Sequence, residues 1–200
     1  PYTEKVLDPW NDKYIDAETY PNLISYPDEK TDGLASVFQT DQESYNWEVT
    51  NFTAPAREDL VIYELLVRDF TEDGQVGDIH GVMDKLDYLD SLGVNAIELM
   101  PVNEFEGNDS WGYNPAFYFA FDKAYGRKQD LKAFVDSCHK RGIAVIVDMV
   151  LNHSYGQSPF VQLYFDPDAG DYGQPTAANP WYNQTCPHPP YCWGFDFDHQ

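Results

Sequence analysis

The chain has 200 residues, 42% of them hydrophobic and 16% aromatic, which is enough apolar material for a packed core and excludes a disordered tail. Its 34 acidic and 12 basic residues leave a formal charge of −22 at pH 7. Such a field repels phosphate backbones and anionic headgroups, so nucleic acid and membrane surfaces are poor partners, while a neutral ligand is unaffected.

No apolar run exceeds about ten residues, too short to cross a bilayer. The chain opens Pro1-Tyr2-Thr3-Glu4, without a methionine or a signal-like segment, so its true start is expected upstream. Val6-Leu7-Asp8-Pro9-Trp10 reads as a closing strand of something begun earlier. Residues 11–58 read as a linker with little regular structure, with turns at Tyr20-Pro21, Tyr26-Pro27 and Asp32-Gly33 and a short strand at 34–40.

From Asp59 the texture becomes regular. Leu60 to Val67 has the β-branched and aromatic content of a strand. Asp78 then caps a single predicted helix with Ile79, Val82, Met83, Leu86, Leu89 and Leu92 on one face, stopped at Gly93. Val94 to Leu99 is a second strand, and a long aromatic loop follows. A second helix is predicted from about Asp130, with Leu131, Phe134, Val135 and Cys138 on one face. His139-Lys140-Arg141 complement its negative end and Gly142 closes it. The run from Gly142 to Asp148 is a third strand, apolar enough to be buried on both faces as in a parallel sheet.

Alternating strands and helices imply right-handed parallel βαβ units. The loops into the strands are one or two residues long, whereas those out of them grow to about 50, so function is loaded on the C-terminal ends of the strands. That asymmetry fits an α/β fold of the (β/α)8 TIM-barrel kind, of which only three strands are visible; a small open sheet is the alternative.

Polar groups at those strand ends are the candidates for chemistry. Asp148 ends the third strand, and Asn152 and His153 follow four and five residues later. The loop after the second strand carries Ser110-Trp111-Gly112-Tyr113-Asn114-Pro115-Ala116-Phe117-Tyr118, with flat rings beside Gly and Pro. Such rings suit stacking on the apolar face of a sugar, or form a packed aromatic cluster that folds the loop. Trp193 to His199 alternates acids with aromatics, and reads as a further strand end, a cation site through Asp196 and Asp198, or a solvated edge. The triplets at Asn51, Asn108, Asn152 and Asn183 match the glycosylation pattern, which chance also produces.

Cys138 lies in a helical pattern and reads as a small buried hydrophobe. Cys186 and Cys192 bracket Pro187-His188-Pro189-Pro190-Tyr191, a stiff loop able to bring them together. A disulfide is expected there, which implies an oxidising, extracytoplasmic compartment. Free thiols are the alternative, and a metal site with His188 is disfavoured because the spacing is not that of a zinc finger.

Asp148-Met149-Val150-Leu151-Asn152-His153 resembles the first motif of the α-amylase family of glycoside hydrolases, a strand-three Asp followed by Asn-His. Trp111-Gly112-Tyr113-Asn114-Pro115 is similar to the family's Gly-Tyr loop in the branching-enzyme and isoamylase form. Residues 62–70 look like its first strand, and Phe195-Asp196-Phe197-Asp198-His199 resembles a motif near the end of its third loop. The resemblance implies that 59–200 is the N-terminal part of a (β/α)8 catalytic domain, its first three βα units. Residues 1–10 would then end a preceding β-sandwich domain.

It further implies substrate contacts by Tyr113, which would stack under a sugar, by His153, which would bind a hydroxyl, and by Asp148, which would shape the site; these three are expected to line one cavity at the C-terminal strand ends, with Trp111 at or near its wall. Asn152 and Asp196 align with calcium ligands of some members, although the activity requires no cofactor. The family's catalytic acids lie on strands four, five and seven, beyond Gln200, so no catalytic residue is expected in this span and the span alone is expected inactive. The implied activity is retaining cleavage of α-glucosidic bonds in starch- or glycogen-type polysaccharide. Glucan branching or another transglycosylation is the alternative, as is a non-catalytic carbohydrate-binding or ancillary role.

Overall fold

The computed structural model describes residues 12–16, 18, 34–38, 40–71 and 77–200. The expected strand at Val6–Trp10 and the turns at Tyr20-Pro21, Tyr26-Pro27 and Asp32-Gly33 lie outside these residues. In chain order the elements are β1 (Tyr14–Asp16), β2 (Leu34–Ser36), β3 (Ile62–Leu65), α1 (Val67–Phe70), α2 (Ile79–Asp84), α3 (Leu86–Ser91), β4 (Ala96–Leu99) and β5 (Asn103–Phe105). Then come β6 (Pro115–Phe121), α4 (Lys128–Lys140), β7 (Ala144–Val147), β8 (His153–Ser154), α5 (Pro159–Gln162), β9 (Phe165–Asp166), β10 (Gln174–Pro175) and β11 (Phe195–Asp196). The chain divides into two compact units.

The first unit comprises Phe38–Val102 and Phe121–Met149. Its sheet has the order β3-β4-β7, all parallel, with Ile62, Ala96 and Ala144 in register at one end and Leu65, Leu99 and Val147 at the other. This is the pairing that right-handed βαβ connections produce. The central strand is the buried one: Ala96, Ile97 and Leu99 are fully buried. The third strand, expected to be buried on both faces, is instead an edge strand among the described residues, and its Val147 is 42% exposed.

Asn95, just before β4, acts as a rung of the sheet. Its Oδ1 accepts from the Val61 N–H at 2.6 Å, its Nδ2 donates to the Asp59 carbonyl at 2.9 Å, and its own N–H donates to Val61 O at 3.1 Å.

The single helix expected after Asp78 is two helices, α2 and α3, parted at Lys85 (φ −99°, ψ 3°). There the Lys85 N–H donates to Val82 O at 3.0 Å, an i−3 bond that tightens the turn. The apolar stripe runs on across the break, since Ile79, Val82, Leu86 and Leu89 are all buried. Leu92, the sixth member expected, is 52% exposed at the C-cap of α3. Asp78 does cap α2, its Oδ1 accepting from Gly81 N at 2.9 Å.

The helix α4 begins at Lys128, slightly ahead of expectation, and Asp130 Oδ2 accepts from the Arg127 N–H at 2.8 Å. Phe134 and Cys138 are buried as the pattern requires, and burial pushes the Cys138 thiol up to about 12. Asp136, on the opposite face, is buried as well. A strap of residues 42–52 covers that face. Asp136 accepts from the N–H groups of Glu48 and Val49, both at 2.9 Å, and from the Tyr45 hydroxyl at 3.2 Å. Those backbone bonds, Glu48's foremost, hold its carboxyl below the usual range. Along the same strap Lys140 pairs with Glu48 at 2.5 Å, and the ring of Phe52 stacks on His139 at 3.8 Å.

The second unit comprises Pro1–Val37, Asn103–Ala120 and Val150–Gln200. It is built of small two-stranded sheets: β1 with β2, β5 with β6, β8 with β11 and β9 with β10. The aromatic run after β4, read from the sequence as loop, contains a seven-residue strand, β6. Ala116, Phe117 and Ala120 are buried together. A second cluster gathers Phe160, Val161 and Tyr182, flanked by Tyr118, Phe165, Trp181, Phe195 and Phe197. Cys186 and Cys192 are bridged, with Cα atoms 5.8 Å apart, as expected.

Candidate substrate-binding site

The loop that carries Trp111 and Tyr113 is tied at its base. Glu106 N donates to Asn114 O at 3.1 Å, and Asn114 Nδ2 donates to Glu106 O at 3.0 Å. Ser110 Oγ accepts from Gly112 N at 3.0 Å, and Gly112 turns the chain with φ +89°, a conformation that favours glycine. Trp111 is left 60% exposed and Tyr113 40% exposed. Phe117, in β6, is buried with Ala116 and Ala120, whereas Trp111 and Tyr113 on the preceding loop are exposed.

His153 meets this loop from β8. Its Nε2 lies 3.1 Å from the Tyr113 carbonyl oxygen. A carbonyl only accepts, so Nε2 carries the proton, and Nδ1 accepts from Asn152 Nδ2 at 2.7 Å. The imidazole is thereby oriented with its Nε2–H directed at the loop.

Its backbone is held from three sides. The Tyr118 hydroxyl donates to His153 O at 2.6 Å, β11 pairs with β8 so that Asp196 faces His153, and the Phe197 N–H donates to Asn152 O at 3.0 Å. Burial raises the Tyr118 hydroxyl pKa, so it remains a donor. Gly194 (φ +61°) lets β11 approach, because a Cβ there would stand 2.5 Å from Ser154 O and 3.2 Å from His153 Cδ2. Asn183 Nδ2 in turn donates to Asp196 Oδ2 at 2.8 Å.

Of the sequence candidates, Tyr113 and His153 are therefore in direct contact, and Trp111 shares the Tyr113 loop. Asp148 follows β7 in the first unit, half-buried, with its N–H donating to Leu99 O at 3.0 Å. Tyr118, Asn183 and Gly194, which set the position of His153, had no signal as site residues. Tyr118 lay in an aromatic run read as loop, and a glycine or an amide reports no such role by itself.

Of the calcium candidates, Asn152 donates its Nδ2 to His153 Nδ1 at 2.7 Å, and Asp196 Oδ2 accepts from Asn183 Nδ2. Among the described residues no three His, Cys, Asp or Glu side chains gather as a metal site. No helix among them is long and apolar enough to cross a membrane.

The family model for the alpha-amylase catalytic domain matches residues 29–200. The malto-oligosyltrehalose trehalohydrolase of Saccharolobus solfataricus is 40% identical over 144 residues, 70% of this chain and 25% of that protein. The alpha-amylase MalA of Haloarcula japonica is 35% identical over 153 residues, 74% of this chain and 22% of that protein. A crystal structure of a putative alpha amylase from Salmonella typhimurium superposes with a TM-score of 0.58 at 34% identity, covering 70% of this chain and 24% of the other. The chain belongs to the α-amylase family of glycoside hydrolases. It spans about a quarter of the length of the curated relatives it matches. The family's catalytic domain is a (β/α)8 barrel, and the parallel β3-β4-β7 sheet with its helices is built on that plan.

Proposed function

We propose that the chain is part of an enzyme that cleaves α-glucosidic bonds of starch- or glycogen-type polysaccharide with retention, and that it supplies residues that hold the sugar. The observation that carries this reading is the contact between the His153 Nε2–H and the backbone carbonyl of Tyr113, a residue whose side chain is left exposed. The ring face of Tyr113 takes the apolar side of a glucose unit, Trp111 extends that surface, and a sugar hydroxyl shares the His153 N–H with the Tyr113 carbonyl. Asp148 shapes the site in this reading by resemblance to the family motif. A retaining glycosidase needs two carboxylates about 5 Å apart across the bond, and we assign neither to this span. No metal enters the scheme. The Cys186–Cys192 bridge supports an extracytoplasmic location.

In the whole protein, Tyr113→Ala is expected to lower kcat/KM on maltoheptaose by removing stacking worth about 1–3 kcal/mol, by analogy with bases stacked on aromatic rings. Turnover unchanged by Tyr113→Ala, with circular dichroism also unchanged, would remove the sugar platform. A second reading is favoured by the 40% identity to a malto-oligosyltrehalose trehalohydrolase: the substrate is a short malto-oligosaccharide ending in trehalose. Rates on maltoheptaose and on maltotriosyltrehalose decide between the two. Transfer to a second glucan instead of water would appear as longer or branched products.

A further inference from the structure

From Tyr172 to Phe195 the sequence contains no Asp, Glu, Lys or Arg, although 23% of the chain is charged and its formal charge is −22. Surface segments ordinarily rely on charged residues. This one relies on amides, prolines and aromatic rings.

The inner layer of the segment is packed. Tyr182 is 3% exposed and stacks on Phe197 at 4.6 Å, Trp181 meets Phe160 edge-on at 4.9 Å, and Phe195 meets Phe165 at 5.7 Å. These rings supply the aromatic cluster of the unit. Tyr191 and Trp193 are not needed there and stand 78% and 68% exposed. The backbone that carries them is fixed. Cys192, between the two, is bridged to Cys186, and the Tyr191 N–H donates to His188 O at 2.8 Å. Gly194, immediately after Trp193, packs against Ser154.

Two exposed rings on a cross-linked segment lose little conformational freedom when a ligand covers them. Their flat faces suit the C–H faces of pyranose rings. The chemistry of the surroundings selects the ligand further. An anion is repelled by the overall charge, and a cation finds no carboxylate in this stretch. A neutral, hydroxyl-rich chain finds rings to stack on and exposed Gln184 and Thr185 for hydrogen bonds. We infer that Tyr191 and Trp193, displayed on the disulfide-closed loop, form a binding platform for a neutral α-glucan chain. The choice of α-glucan rests on the proposed function; the platform itself rests on exposure, stapling and the absence of charge.

The test is native gel electrophoresis of the whole protein with glycogen in the gel, alongside turnover of maltoheptaose by the same preparations. The double variant Tyr191→Ala/Trp193→Ala is expected to bind glycogen about ten-fold more weakly, the loss of stacking worth about 1.4 kcal/mol. Trp193→Phe, which keeps a ring, is expected to retain most of the affinity. Retardation by glycogen equal in the double variant and the natural protein would overturn the platform. So would a Trp193→Phe loss as large as that of Trp193→Ala, since the effect would then belong to loop folding. The two readings fail separately. Turnover with no retardation removes the platform and leaves the enzyme reading, whereas retardation lost in the double variant with no turnover in any preparation supports the platform and removes the enzyme reading.

Discussion

The two units reach order by different means. In the unit of β3, β4 and β7 the interior is mainly aliphatic: Ile79, Val82, Leu86, Leu89, Ile97 and Leu99 are all buried, and helices with period 3.6 supply much of the surface. In the unit of β8 to β11 those four strands are two residues long, and order comes from packed aromatic rings and from side chains that hydrogen-bond to backbone. Aliphatic burial is non-directional and tolerates small shifts. Ring and hydrogen-bond contacts are directional, so they can hold an imidazole at a chosen angle. The first kind of packing makes a scaffold, and the second fixes the side chains of the proposed site.

That contrast can be broken most severely in the first unit. Phe134 is fully buried in α4, and Phe134→Ala is expected to cost about 3–5 kcal/mol of stability, read from the urea midpoint. A loss below about 1 kcal/mol would show that the helix-braced unit does not depend on its apolar interior.

In the second unit the expected damage is smaller and of another kind. Gly194→Ala forces a side chain into a left-handed backbone and toward Ser154 O, at a cost of about 1–2 kcal/mol. Because β11 braces His153, kcat/KM of the whole enzyme is expected to fall more than stability explains. An unaltered kcat/KM in a folded variant would mean that β11 does not position the ring.

The smallest effect sharpens the comparison at the strap over α4. Burial beside Phe52 holds the His139 pKa below its ordinary 6.5, against a weaker upward pull from Asp136. A histidine with a depressed folded pKa favours the folded strap when neutral. Its contribution is therefore present above 6.5 and declines as pH falls through the lower folded value. Asp136, also depressed, has the same sign, its contribution present above 3.8 and lost only in more acid solution. By NMR titration, the His139 midpoint is expected below 6.5, moving upward in Phe52→Ala. A midpoint at or above 6.5 in the natural chain would contradict the buried stack.

The strands β4 and β7 and the helix α4 were legible because aliphatic runs and glycine stops are local signals. The break at Lys85 was not, since the apolar stripe from Ile79 to Leu89 is continuous in sequence while the backbone is not. The strand β6 was hidden because its aromatic residues lack a clean alternation. Burial of Asp136 depends on a strap from far upstream, and no helical pattern foretells it. In the site, Tyr113 and His153 could be named from motifs, but their meeting runs through the Tyr113 carbonyl, a group every residue possesses. The brace by Gly194 and Tyr118 is likewise a matter of close approach between distant segments.

Asn95 bears on how the sheet finds its alignment. It lies 34 positions from Val61, and its side chain engages the backbone of Val61 and Asp59 as a neighbouring strand would. Such a key fits one alignment only. A slip of one residue would turn both Ile62 and Glu64 to the other face of the sheet and leave the amide without its partners. Contacts this distant close late, after the intervening helices have drawn the strands together. Pairing and proofreading are then a single event: a misaligned pair of strands lacks its latch and comes apart, whereas the native one is locked as it forms.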